Sequence, residues 1–349
     1  MKRILHVANF NSLRLKGCFQ CGFPVKISYG LIKNGYEVIN YPDRDLCRMF
    51  GFGHMNALGK YRLNKHLINF CRTVHPDALL LGHADTITPE TVAAMRKMFP
   101  DMRVMQWNCD PIVEGCDHNI NNIKSKLDVV DATVISTAEK KLLEQFKQDG
   151  KPVAHMPNMV DAAIETGRTF EKENLPYDMF LSATTKTRQF CGQETPIEDI
   201  LKMTEQKIPD IKWLLGGIRG TPTLNGFEYL DAFNKAAIGL NLSRQNDVYL
   251  YTSDRLAHIM GNGQMAMIER TTGFEDILGK DTAAYYGSKE EYLDLAEFYI
   301  KHPKARMKVA KNGYEAYYRE FNNVLVTKFM AQLLFGEFKK PEREWQVVI

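Results

Sequence analysis

The chain has 349 residues, 44% of them hydrophobic and 25% charged, with a formal net charge of +3. That length excludes a single small core and predicts two domains, with the composition of a water-soluble globular protein. No apolar run approaches the roughly 18 residues that span a bilayer, and seven scattered cysteines, an odd number, exclude a disulfide framework and point to a reducing, cytoplasmic compartment.

The first predicted strand is "RILHVA" (3–8); Asn9, Asn11 and Ser12 end its apolar run too early for a signal peptide. Cys18 and Cys21 form a C-x-x-C, but no second pair completes a zinc site, and two small semi-buried side chains are the expected reading. The helical stretch "PVKISYGLIKNG" leads to the strand "YEVINY" (36–41), with Gly35 where a C-cap belongs. Strands "DALLLG" (77–82), "RVMQWN" (103–108), "DATVIS" (131–136) and "PVAHMP" (152–157) follow, with helices "PETVAAMRKMF" and "AEKKLLEQFKQDG" among them. Short apolar strands alternating with helices predict a parallel sheet covered on both faces. Residues 158–177 are charged and lack strand periodicity, and are expected to connect the domains. The alternation restarts with "DMFLSA" (178–183), "IKWLLGG" (211–217), "AIGLNLS" (237–243), "QMAMIE" (264–269) and "TAAYYG" (282–287). Helices over 288–301 and 303–319 and the amphipathic "VLVTKFMAQLLFG" (324–336) close the chain.

The expected fold is therefore α/β, two tandem Rossmann-like doubly wound domains: residues 1–157, a linker over 158–177, residues 178–322, and a tail over 323–349. In such sheets ligands bind beyond the carboxyl ends of the strands, and the interdomain cleft is the default site. Polar residues at those ends are the candidates. In the first domain they are Asn9, Asn11 and the loop to Gly17, then His83 and Asp85, then Asp110. His83, Asp85 and Asp110 are placed to act as a general base on an acceptor hydroxyl. In the second domain they are Lys186 and Arg188, Gly217 and Arg219, and Arg244. Cations beside glycine turns suit a diphosphate, although "LLGGIRG" carries neither a dinucleotide nor a P-loop spacing. The stretch "TSDRLAHIMGNG" adds Ser253, Asp254, Arg255 and His258 at the start of an otherwise apolar helix. An N-cap by Ser253 or Asp254 with the other two solvated explains part of that pattern. Residues 1–72 hold 12 Lys/Arg against 3 Asp/Glu, leaving 33 against 39 in the rest. A basic first part suits an anionic partner such as a phosphate, an acidic glycan or an anionic membrane surface.

The C-terminal half resembles the group 1 glycosyltransferases of the GT-B fold, in particular the branch related to spore maturation protein CgeB. The likeness covers roughly residues 178–320 and rests on "AIGLNLSRQNDVYLYTSDRLAHIMGNGQMAMIERTTGFEDIL" and "SKEEYLDLAEFYIKHPKARMKVAKNGYEAYYREFN". "PNMVD" (157–161) resembles the family's linker turn, and "LLLGHAD" and "QWNCDP" are compatible with its acceptor-domain loops. The resemblance implies transfer of a sugar from a nucleotide-sugar to a glycan, lipid-linked or protein acceptor. It places the nucleotide near Arg244 to Arg255 and the diphosphate near Lys186, Arg188 and Arg219. It also implies that the C-terminal helix returns to the first domain. Ser253 and Arg255 match the family's donor-helix pattern, His258 stands where a glutamate is expected, and Glu275 fits a further acidic position. No cofactor beyond the donor and no metal is expected, because no D-x-D sits at a donor-side strand end; "DRD" (43–45) lies in the first domain. No nucleic-acid partner is expected, and the protein is placed in the cytoplasm, with peripheral contact at the inner face of the membrane through its basic first part. Two other readings remain open here: a nucleotide-sugar epimerase of the same fold, and a catalytically inactive sugar-nucleotide or glycan-binding protein.

Overall fold

The computed structural model describes residues 1–12, 22–51, 56–183 and 187–349. It divides into two units, Met1–Met156 with Asn323–Ile349, and Pro157–Asn322. Gly17, Lys186, Cys18 and Cys21 lie outside the described residues.

The first unit is built on a parallel six-stranded sheet. Its strands are β1 (Arg3–Ala8), β2 (Glu37–Pro42), β3 (Ala78–Gly82), β4 (Arg103–Asn108), β5 (Ala132–Ile135) and β6 (Val153–His155). They lie in the order β2-β1-β3-β4-β5-β6. The helices are α1 (Phe23–Lys33), α2 (Asp43–Phe50), α3 (Asn56–Val74), α4 (Pro89–Met98), α5 (Asp117–Lys124) and α6 (Lys140–Glu144). Strand β3 is buried at every position and β1 and β4 at all but the first, as continuous apolar runs require when helices cover both faces. Leu5, Val7, Leu79, Leu81 and Val104 pack with Leu63 and Leu67 of α3 and Val92 and Met95 of α4.

The second unit carries β7 (Tyr177–Ser182), β10 (Trp213–Gly216), β11 (Ala236–Leu240), β12 (Met265–Glu269) and β13 (Ala284–Tyr286), parallel in the order β10-β7-β11-β12-β13. An antiparallel hairpin, β8 (Thr187–Phe190) and β9 (Gln193–Pro196), follows β7. The helices are α7 (Ile197–Lys207), α8 (Gly226–Phe233), α9 (Arg255–Gly261), α10 (Phe274–Leu278), α11 (Lys289–Lys301) and α12 (Pro303–Phe321).

The last helix, α13 (Asn323–Leu334), belongs to the first unit. It lies close against α1: a Cβ on Gly30 would stand 2.4 Å from the Asn323 carbonyl oxygen. Asn34 Nδ2 donates to Val324 O at 2.8 Å and Thr327 Oγ1 at 2.9 Å, and Asn323 Nδ2 donates to Lys26 O at 3.1 Å. The tail beyond α13 then pairs antiparallel with β6, through Val153 N to Ile349 O and His155 N to Val347 O, which covers an otherwise open sheet edge.

The structure departs from the sequence expectations in three places. Residues 158–177 are part of the second unit, fixed by the buried carboxylates of Asp161 and Glu165 and by a 3₁₀ turn at Thr169–Glu171. The helix read over 138–150 is one short turn, α6, because the chain reverses at Gly150 (φ 73°) to bridge Gln148 with Lys151. The "DRD" of 43–45, which after the second strand reads as an acceptor-side loop, instead opens α2, where Asp43 and Asp45 are both 1% exposed. Asp45 accepts the Ser12 N–H at 2.6 Å and an Arg48 N–H at 3.1 Å, and Asp43 accepts the Thr86 hydroxyl. Among the described residues, no helix is long and apolar enough to cross a membrane.

Candidate functional site

At the carboxyl ends of β7 and β11 three guanidinium groups come together. Arg255, the first residue of α9, donates from Nη2 to Ser182 O at the end of β7 and from Nη1 to Leu242 O just past β11, both at 2.9 Å. Arg188, in β8, donates from Nε to the same Leu242 carbonyl at 3.2 Å and is 6% exposed. Burial, then the charges of Arg255 and Arg244, pull the Arg188 pKa down to about 10, with Tyr251 opposing. Like charges gathered at a half-buried strand end raise each other's energy, and an anion placed among them relieves it.

The hairpin that carries Arg188 is tied down on both sides. Asn246 donates its N–H to Gln189 Oε1 and its Nδ2 to Gln189 O, each at 2.7 Å. Glu269, at the end of β12, accepts the Cys191 N–H at 3.0 Å. Its carboxyl is 2% exposed, and burial raises its pKa. The loop from Asn241 to Arg255 also presents buried polar atoms without a protein partner: Asn241 Nδ2, Gln245 Oε1, Ser253 Oγ and Arg255 Nε. A buried, unpaired donor or acceptor is costly to leave that way, so such a group fits a ligand that satisfies it. Neither Ser253 nor Asp254 caps α9 with its side chain.

Other sequence candidates are placed differently. His258 is 2% exposed, with Nδ1 at 2.7 Å from Glu165 Oε1 and Nε2 at 3.2 Å from Asp254 Oδ2. Phe233 and Tyr229 pack on the ring at 5.5 and 5.7 Å. It joins α9 to the segment after Pro157 and is buried within the second unit, so it corrects the reading of a ligand-facing residue. Asp254 is drawn to His258 in the same way. Arg219 is committed to the surface carboxylates of α7, at 2.9 Å from Glu198 and at hydrogen-bond distance from Glu205, which corrects its assignment to the diphosphate. Glu275, in the first turn of α10, lies 3.4 Å from Arg270; the acid at the end of β12 is Glu269, legible only as the glutamate that ends "MAMIE". Gly217 has φ 72°, and a Cβ there would meet the Ala183 carbonyl at 2.8 Å. Gly261, the last residue of α9, admits the Glu165 side chain, whereas Gly263 beyond it takes the left-handed turn (φ 69°).

In the first unit the strand ends gather a second polar group. His83 follows β3, with Nε2 at 3.4 Å from Cys109 Sγ and Nδ1 at 3.7 Å from Asp110 Oδ2; burial lowers its pKa. Asp85 is paired with Arg44 at 3.1 Å. Asn9 and Asn11 bury their Oδ1 atoms without a protein partner. Lys126 gave no signal in the sequence. It is 2% exposed, burial brings its pKa down to about 8, and its Nζ holds Asn122 Oδ1 at 2.6 Å while Asn122 Nδ2 holds the His83 carbonyl at 2.6 Å. One donor atom each from His83, Cys109 and Asp110 lie within 4.8 Å of one another.

With that geometry in place, comparison with known proteins is informative. Residues 195–332, which include Arg244 and Arg255, match a family model described as glycosyl transferase-like. A search of curated proteins finds no match. Among solved structures, the sucrose-phosphate synthase from Thermosynechococcus elongatus aligns with a TM-score of 0.63 at 11% identity, over 95% of this chain and 98% of that one. The α,α-trehalose 6-phosphate synthase from Burkholderia multivorans gives 0.62 at 10%, over 96% and 99%. The Anabaena protein HepE, solved in complex with UDP and glucose, gives 0.61 at 9%, over 96% and 100%. At these identities the likeness is one of fold: two parallel-sheet Rossmann-like units of the GT-B architecture.

Proposed function

We propose that this protein is a glycosyltransferase that takes its sugar from a nucleotide-sugar bound at the carboxyl ends of β7 and β11 in the second unit. The observation that carries the reading is the convergence of Arg188, Arg244 and Arg255 there, with buried unpaired polar atoms on the adjoining loop. The glycosyl transferase-like match, which includes Arg244, Arg255 and the loop between them, and the GT-B fold support it. HepE holds UDP and glucose, so UDP is the first nucleotide to try. Planar guanidinium groups bind diphosphate oxygens in pairs, and they neutralise the charge that develops on the leaving diphosphate without a metal ion. The acceptor is a glycan, a lipid-linked sugar or a protein. His83 and Asp110 are the groups we assign to its hydroxyl proton: burial keeps the imidazole neutral, as a base must be, and the carboxylate beside it is more than half exposed. Within the glycosyltransferases, the sequence pattern favours the CgeB-related branch.

The test is product analysis with a panel of nucleotide-sugars, each with and without candidate acceptors, in chelator. Transfer or slow hydrolysis that releases nucleoside diphosphate supports the reading. A donor converted to its epimer with no acceptor would replace it with epimerisation. Binding with no turnover of any donor would support an inactive sugar-nucleotide binder, a reading motivated by His258 in place of the family's glutamate. Turnover lost in chelator and restored by Mg²⁺ or Mn²⁺ would refute metal independence.

A further inference from the structure

The turn after β4 places a thiol against an imidazole whose orientation is fixed. Cys109 Sγ lies 3.4 Å from His83 Nε2. On the other side of the ring, Nδ1 is 3.4 Å from Asn108 Nδ2 and 3.7 Å from Asp110 Oδ2. Asn108 Oδ1 already accepts the Asp110 N–H at 2.7 Å, so the amide presents its NH₂ group to Nδ1. A neutral imidazole that accepts at Nδ1 carries its proton on Nε2, and an imidazolium carries one there too. In both states an N–H points at sulfur, which favours the thiolate over the thiol.

The ring has little freedom to leave this position. Trp107 stands edge-on to it with centroids 5.4 Å apart, and Asn122, itself held by buried Lys126, grips the His83 carbonyl. His83 and Ala84 both have left-handed φ, 53° and 45°. Two consecutive non-glycine residues in that region carry a strain that persists only where surrounding structure imposes it. Among the described residues, the charged and titratable groups that act on His83 are Asp110, Arg44, Asp85 and His118. Cys109 is half-buried, as are Cys116 and Cys191.

We propose that Cys109 is a reactive, His83-activated thiolate, and that this corner of the first unit is a modification site for electrophiles and peroxides. With hydrogen peroxide the thiolate sulfur attacks one oxygen. The S–O bond forms as the O–O bond breaks, and hydroxide leaves and takes a proton from solvent. Sulfur is oxidised by two electrons to a sulfenic acid, and the peroxide is reduced to water. Thiol chemistry at Cys109 does not need the donor site of the second unit, although it draws on the same His83 that we assign to the acceptor hydroxyl.

The experiment is timed alkylation of the native full-length protein with iodoacetamide from pH 6 to 9, with each cysteine peptide quantified by mass spectrometry. Cys116 and Cys191 are internal references; burial and the Glu269 charge push the Cys191 thiol up to about 12. Cys109 should react about tenfold faster than Cys116 at pH 7, with a midpoint below the ordinary thiol value of about 8.5. Peroxide should give a dimedone-trapped sulfenic acid at Cys109. His83→Ala should slow its alkylation by about tenfold. Should that variant fail to fold, the wild-type pH profile decides alone. Reaction no faster than at Cys116, a midpoint at or above 8.5, or an unchanged rate in folded His83→Ala would each overturn the proposal. So would protection of Cys109 that a chelator removes, since the three side chains would then hold a metal ion.

Discussion

Arg255 and Arg219 are both arginines near glycine turns in the second unit, yet their surroundings separate them. Arg255 spends two N–H groups on strand-end carbonyls and keeps Nε buried and unpaired. Arg219 already has two surface carboxylates. Arg255→Ala should therefore weaken nucleoside diphosphate binding by ten- to a hundredfold, the worth of a hydrogen bond to a charged group at about 1.5–3 kcal/mol. Arg219→Ala should leave binding unchanged. At position 258, Glu165 and Asp254 flank the imidazole, so His258→Glu would bury a third carboxylate between two others. It should lower the melting temperature more than His258→Gln; equal melting temperatures would contradict the buried three-residue cluster. Asp43 makes a pH prediction. Burial raises its carboxyl from 3.8 to about 6, with Asp85 adding to the effect. Between about pH 4 and 6 the folded state then binds more protons than the unfolded chain, so this group's contribution to stability falls as pH rises through that window. Asp43→Asn removes the effect. Its stability relative to wild type in urea should rise by about 2 kcal/mol from pH 4.5 to 7. A pH-independent difference would show that the carboxyl is not buried as described.

At the scale of elements, the return of α13 to α1 rests on close approach. Gly30 has no room for a side chain against the Asn323 carbonyl and Thr327. Gly30→Val should cost on the order of 1–3 kcal/mol or more and lower the melting temperature, whereas Gly35→Ala, with nothing near its Cβ position, should act only through its positive φ. An undisturbed melting temperature in Gly30→Val would mean that α13 does not lie where it is described. The strands of both sheets were legible because buried parallel strands are continuous apolar runs; "RILHVA" and "RVMQWN" match β1 and β4 residue for residue. The hairpin β8–β9 was not, since "TRQFCGQETP" is short and mostly polar and its order comes from Asn246 and Glu269, distant in sequence. The segment after Pro157 failed for a related reason. Its charged residues read as solvated, but Glu165 is buried against His258, a partnership that no local pattern announces.

For the whole molecule, sequence and structure agree on two Rossmann-like units and on basic residues at the strand ends of the second. Sequence overcounted the residues of the proposed donor site because every polar strand-end residue looked alike; the structure keeps Arg188, Arg244 and Arg255 together and gives Arg219, His258 and Glu275 other partners. In the first unit, His83, Asp85 and Asp110 were legible as strand-end polar residues, while Lys126 and Asn122, which fix the His83 turn, follow no strand and carried no signal. The central claim is a nucleoside diphosphate site at the ends of β7 and β11. Isothermal titration of the wild-type protein, Arg255→Ala and Arg219→Ala with UDP, and with the other nucleoside diphosphates in turn, tests it most directly. Saturable one-to-one binding of at least one of them, weakened at least tenfold by Arg255→Ala and untouched by Arg219→Ala, is the predicted result. Binding that survives Arg255→Ala in a folded protein, or no binding of any nucleoside diphosphate to the wild type, would contradict it.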